Sequence, residues 1–208
     1  MNTKFVDTKA YFTKFMESWS PNPTYFKDDK DAEFHKLEAT KMLEMFSNRL
    51  NEKIEMVVLE KKAKDKNHAW NLIKPKLKEY KIFDKDLNVV GVIDNIEISY
   101  DELVYVIDYK TSKLYRHTLP EEYVRQVSIY AYLYLKEFGK LPNFVGINYL
   151  RYGEVFIIPV TKELVEQAIK DIHMVREKSV SKNLADYPRC SSEWCDCNHF
   201  EKIETVKQ

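Results

Sequence analysis

Apolar positions along this chain recur with two different periods, and the places where the period changes divide it into elements. Ala39, Met42, Leu43 and Phe46 recur at the three- and four-residue steps of a helix face, after Asp28, Asp29 and Asp31, which suit an N-terminal cap. This predicts a helix to about residue 50, and stepping the face back one and two turns places His35 on its inward side. A second helical segment spans residues 54–73 and ends at Pro75. From Leu77 the period becomes two: Tyr80, Ile82 and Phe83, a turn at Asp84-Lys85-Asp86, a strand over 89–98, a polar turn over 99–102 and a strand over 103–111. This is a three-strand meander. Thr118-Leu119-Pro120-Glu121 has capping-box spacing and opens a helix that runs to Phe138 and stops at Gly139. Residues 143–150 and 154–160 form a hairpin around Gly153. Thr161 then caps a last helix with Leu164, Val165, Ala168, Ile169, Ile172 and Val175 on one stripe. Beyond Val180 the pattern is loop-like.

With 208 residues and 24.8 kDa, one compact domain is expected. It covers 1–180, with a helical N-terminal part over 1–75, and a cysteine-containing tail over 181–208 packs on it. Hydrophobic residues at 44% and charged residues at 32% disfavour disordered, collagen-like and disulfide-scaffold classes. No apolar run reaches membrane-span length, and the first residues lack the apolar stretch of a signal peptide, so a cytoplasmic, reducing compartment and no membrane partner are expected. The formal net charge of zero argues against a polyanion binder held by global charge. Charge is nevertheless segregated. Residues 61–81 hold eight lysines against Asp65 and Glu79, whereas 91–108 hold five carboxylates and no Lys or Arg. A basic stretch beside an acidic pocket suits an enzyme that grips a phosphate backbone while gathering divalent cations; a solvated lysine face explains the lysines equally well.

The chemistry concentrates on two strands. Asp94 shares its face with Val92, Ile96 and Ile98, and Asp108 and Lys110 share theirs with Val104 and Val106, so carboxylates sit on apolar faces twice. If the 99–103 loop pairs Ile98 with Val104, Asp94 lies opposite Asp108, and two facing carboxylates call for a cation. Oxygen ligands suit Mg²⁺ or Mn²⁺, and Lys110 is placed to orient a water or stabilise developing charge. The structural alternative is a buried Asp108–Lys110 pair that satisfies itself, with Asp94 held by backbone donors.

His35, the run Gly91-Val92-Ile93-Asp94, the run Ile107-Asp108-Tyr109-Lys110-Thr111, and Gln126 with Tyr130 one turn later together resemble the PD-(D/E)XK nuclease superfamily. Within it they are similar to the RecB/AddB-like group, which includes the CRISPR-associated RecB-like exonucleases. The resemblance covers roughly 31–160. It implies an α/β, restriction-endonuclease-like fold with a central mixed sheet flanked by helices, and a Mg²⁺- or Mn²⁺-dependent deoxyribonuclease, an exonuclease of DNA processing, repair or recombination. It also implies metal ligation by His35, Asp94, Asp108 and the backbone carbonyl of Tyr109, catalysis by Lys110 with Asp94 and Asp108, and DNA contact or support of the site by Gln126 and Tyr130. Glu79 stands where many relatives carry an acidic residue. The implied partners are DNA, single-stranded or with free ends, and a helicase or recombination protein, since no phosphate-binding loop is present.

Cys190, Cys195 and Cys197 crowd near the C-terminus. RecB-like nucleases often hold an iron–sulfur cluster on one N-terminal and three C-terminal cysteines, but no cysteine precedes Cys190, so a four-Cys cluster within one chain is not expected. Cys190, Cys195, Cys197 and His199 offer a Cys₃His zinc site, and a metal-free remnant is the equal alternative. Two rivals stand beside the deoxyribonuclease: an RNA nuclease with the same chemistry, and a catalytically weak nucleic-acid-binding module of a larger DNA-processing complex. The intact Asp-Asp-Lys set speaks against the weak module.

Overall fold

The structure, a computed structural model, describes residues 5, 8–20, 24–112, 118–183 and 187. Cys190, Cys195, Cys197 and His199, and with them the zinc expectation, lie outside the described residues. The chain divides into two compact units, Met1–Ile169 and Lys170–Gln208.

Helices α1 (Thr8–Ser18), α2 (Asp29–Leu59) and α3 (Lys66–Ile73) precede the sheet. Asp28 caps α2, its carboxylate accepting from the Asp31 amide at 2.8 Å. Two helices were expected where α2 runs unbroken to Leu59. Nothing between Leu50 and Ile54 breaks a helix, and the buried Asn51 amide donates to the Ser47 carbonyl at 2.9 Å, so it costs the helix nothing. The break comes instead at residues 60–65, where Lys61 takes φ 57° and Asp65 caps α3 through the His68 amide. Ile54, Val57, Ala63, Ala69 and Ile73 then form a small apolar core between α2 and α3.

The sheet has five strands in the order β1 (Leu77–Asp84), β2 (Val89–Ile98), β3 (Val104–Lys110), β4 (Phe144–Tyr149) and β5 (Glu154–Pro159). All neighbours are antiparallel except β3 and β4, which are parallel. A parallel pair needs a crossover, and α4 (Glu121–Phe138) supplies it while packing across β1 to β4. This is the expected α/β architecture, a mixed sheet flanked by helices. Gly139 ends α4 in the left-handed conformation (φ 71°). The capping box does not form: Pro120 occupies the cap position with no side-chain hydrogen bond, and Glu121 and Glu122 in the first turn face the helix dipole instead. Helix α5 (Lys162–Ser179) starts where the Leu164 amide donates to Thr161 Oγ1 at 3.2 Å. Its stripe is shorter than the sequence implied: Val165, Ala168 and Ile172 are buried, whereas Val175 is exposed.

Candidate active site

The site grows from a fault in the sheet at Asp94. The β2–β3 ladder follows the expected register, pairing Ile98 with Val104, Ile96 with Val106 and Asn95 with Ile107, and stops one step before Asp94 would face Asp108. On the other side, β1 pairs Lys78 with Asn95 and Tyr80 with Ile93 but skips the step between them, where Glu79 has the left-handed φ of 47°. A non-glycine residue holds that conformation only at a cost of order 1 kcal/mol. Asp94 is thereby released from both ladders. Its Oδ2 accepts from the Tyr109 amide at 2.8 Å, taking the place of the missing strand carbonyl.

Asp108, Lys110 and Gln126 form the centre. Asp108 is 3% exposed, and its Oδ2 is ion-paired with Lys110 Nζ at 2.7 Å. Gln126, on α4, bridges the set: its Oε1 accepts from Lys110 Nζ at 2.9 Å, and its Nε2 lies 3.0 Å from both Asp108 Oδ1 and the Tyr130 hydroxyl. Tyr130 in turn reaches Asp108 Oδ1 at 3.4 Å. The helix comes this close because residue 91 is glycine: a Cβ there would stand 2.5 Å from Leu133 Cδ1 and 3.4 Å from the Tyr130 ring. Lys110 Nζ also lies 5.0 Å from the centroid of the Tyr123 ring, a cation–π contact. Tyr123 precedes Gln126 by three residues and so shares its helix face, the one spacing by which the sequence could have pointed to it.

Burial pushes the Asp108 carboxyl above the ordinary aspartate range; Lys110 pulls it down, and the nearby Asp94 charge pushes it up again. Burial likewise raises the Tyr130 phenol. Two carboxylates in electrostatic contact, one of them buried, are a donor set suited to a hard divalent cation.

His35 is not brought into this group. Its side chain is 42% exposed, with Nε2 3.6 Å from Asp31 Oδ1 and the ring against Phe26 and Phe34. It is half-buried in the second turn of α2. One turn after His35, Glu38 pairs with Arg151, whose Nε donates to the Thr111 carbonyl just past β3 at 3.3 Å. Glu79 is exposed, and its contribution in this structure is its backbone. Among the described residues no group of three His, Cys, Asp or Glu could hold a metal, and no helix is long and apolar enough to cross a membrane.

The buried carboxylate, the lysine two residues on and the bridging glutamine are the features on which comparison with known proteins bears. No curated protein matches the sequence. A solved structure described as a candidate exonuclease from Eubacterium rectale aligns with 94% of this chain and 74% of its own, at 16% identity and TM-score 0.37, too low to carry an argument. The family model of the PD-(D/E)XK nuclease superfamily, in contrast, matches residues 12–199 and so takes in every strand and each site residue described above. On that match, the chain belongs to the PD-(D/E)XK nuclease superfamily.

Proposed function

We propose that the protein is a divalent-metal-dependent deoxyribonuclease of the RecB/AddB-like kind, acting on DNA that is single-stranded or has free ends, in DNA processing, repair or recombination. The observation that carries this reading is the convergence of Asp94, Asp108, Lys110 and Gln126 at the one step where the sheet is unzipped on both sides. Superfamily membership supports a nuclease.

Asp94, Asp108 and the Tyr109 carbonyl would hold Mg²⁺ or Mn²⁺, which when bound polarises a phosphoryl oxygen and makes water a better nucleophile. The protein's own part is positional. Gln126 Oε1 and Asp108 Oδ2 hold the Lys110 ammonium from two sides, leaving its charge directed at the ground between the carboxylates. There it stabilises the negative charge that grows on the phosphoryl oxygens as the bond breaks. Gln126 and Tyr130 fix Asp108 Oδ1, so that Oδ2 is the oxygen presented. His35 would join as a ligand on a movement of the first turns of α2 toward Asp94 and Asp108. Unwinding of duplex DNA falls to a helicase or recombination partner.

The test is incubation of the purified protein with end-labelled single- and double-stranded DNA, linear and circular, in Mg²⁺, in Mn²⁺ and in chelator. Cleavage in a divalent cation, lost in chelator and reduced below about a tenth by Asp94→Ala and by Asp108→Ala, is expected, because losing the cation removes several kcal/mol of transition-state stabilisation. No cleavage in either cation, or both variants above a tenth of the wild-type rate, would overturn the proposal.

A further inference from the structure

The β1–β2 hairpin has one covered face and one bare one. Helix α4 covers the first: the Tyr80 hydroxyl donates to Glu137 at 2.7 Å, the Tyr132 hydroxyl donates to Asp84, and Gly91 lies against Leu133. Side chains alternate along a strand, so Lys81, Phe83, Val90 and Val92 point the other way. The ladder sets Lys81 opposite Val92 and Phe83 opposite Val90, which makes the four one cross-strand group. Phe83 is 52%, Val90 55% and Val92 45% exposed, and Lys81 is exposed beside them. Single exposed apolar residues are ordinary, whereas three that adjoin on one sheet face form a contact surface.

Charge and ring geometry say what that surface fits. Lys78, Lys81 and Lys85, along β1 and at its turn, are exposed, and among the described residues none has an ion-pair partner. Of the nearby carboxylates, Asp84 is buried and Asp86 is paired with Lys136, which Asp84 shares. Glu79 is then the one exposed carboxylate of β1 set against three lysines, and the surface favours an anionic partner. Phe83 meets no other aromatic ring among the described residues, so its ring is available for stacking. A lysine guarding the outer strand of the sheet would account for Lys81, but not for a phenylalanine and two valines around it. An anionic partner that also offers flat apolar faces is single-stranded nucleic acid, whose unpaired bases stack on aromatic rings while its phosphates take lysines. Duplex DNA keeps those faces inside its own stack. The position fits too, since Val92 stands two residues before Asp94 on β2, roughly 7 Å along the strand.

We propose that the bare face of the β1–β2 hairpin is a docking surface for single-stranded DNA, on which Phe83 stacks a base, Val90 and Val92 flank it, and Lys81 meets a phosphate. The inference rests on the nuclease reading for the identity of the strand, whose scissile phosphate would lie at Asp94 and Asp108 a few nucleotides away. Every base has a face to stack, so the surface selects unpaired over paired DNA without selecting sequence.

The experiment is fluorescence anisotropy of a labelled oligothymidylate of about twelve nucleotides titrated with the intact chain, in chelator so that nothing is cleaved, over a series of salt concentrations. Phe83→Leu, which stays apolar but loses the ring, should weaken binding about tenfold, and Phe83→Trp should bind at least as well as wild type. Lys81→Ala should lower the slope of log affinity against log salt by about 0.7, the value of one phosphate contact on a single strand. A blunt duplex of the same length should bind more weakly and should not distinguish Phe83→Leu from wild type. These side chains are exposed, so the variants should keep the wild-type unfolding midpoint. Absence of saturable binding, full affinity in Phe83→Leu, or an unchanged salt slope in Lys81→Ala would overturn the docking surface. So would sedimentation of wild type as a dimer that Phe83→Leu splits without changing oligonucleotide affinity, because a second copy would then occupy the face. Metal-dependent cleavage with wild-type affinity in both variants would sink this proposal alone; oligonucleotide binding with these sensitivities but no cleavage in any cation would sink the nuclease reading alone.

Discussion

Gln126→Leu separates the hydrogen-bonded centre from its surroundings with little change of volume. One amide here serves Lys110, Asp108 and Tyr130, and two of the three are charged. Hydrogen bonds to charged groups contribute about 1.5–3 kcal/mol each. Lys110 keeps its ion pair with Asp108, Asp108 keeps the Tyr130 hydroxyl, and the leucine gains roughly 1 kcal/mol of apolar burial. The net loss should be about 2 kcal/mol, read in urea denaturation of the metal-free protein as a midpoint lower by about 1 M at a slope of about 2 kcal/mol/M. Cleavage should suffer more than binding. With its second support gone, the ammonium relaxes toward Asp108, and a displacement of about 1 Å costs on the order of a hundredfold in single-turnover rate. Gln126→Glu is the control, since it keeps an acceptor for Lys110 but sets a second carboxylate against Asp108 Oδ1, and should destabilise more than leucine at neutral pH. A Gln126→Leu protein within 0.5 kcal/mol of wild type, or one whose DNA affinity falls while its single-turnover rate holds, would refute the reasoning.

Lys110→Ala should lower single-turnover cleavage by on the order of a hundredfold or more with DNA affinity nearly unchanged, and Arg should not rescue it, because a planar fork replaces a compact ammonium. Glu79→Gly relieves the left-handed backbone and should leave stability unchanged or raise it by up to about 1 kcal/mol in thermal or urea unfolding, with cleavage retained if the residue's part is its backbone alone. Burial would raise the Asp84 carboxyl, but the Tyr132 hydroxyl, the Asp86 and Leu87 amides and Lys136 outweigh it and hold it below the ordinary range. Its stabilising effect is therefore complete above the unfolded value of about 3.9 and is lost as pH falls below it, and Asp84→Asn should flatten that acid limb in unfolding measured between pH 5 and 3. Asp108 slopes the other way: with its folded value raised, the metal-free protein gains stability as pH falls through that value to the unfolded one of about 3.9, and Asp108→Asn should remove the gain.

Local rules sufficed for much of this molecule because the relevant forces act over a few residues. Alternation placed β1, β2 and β3, the 99–103 loop set the Ile98–Val104 register, Gly139 stopped α4, and Asp28 capped α2. Short-range spacing also put Asp108 beside Lys110 and Gln126 one turn from Tyr130, which is why most of the centre could be named before any fold was known. Tertiary structure alone decided the rest. The backbone fault at Glu79 that frees Asp94 has no sequence signal, since a glutamate in αL is held there by the strands around it and not by its own preference. That His35 lies beside Asp31, Phe26 and Phe34 and does not group with Asp94 and Asp108 depends on how α2 sits in the packed chain, which no helical wheel contains. Which face of the β1–β2 hairpin stays bare is settled by where α4 packs, because alternation gives each strand two faces and only the packed assembly decides which is covered.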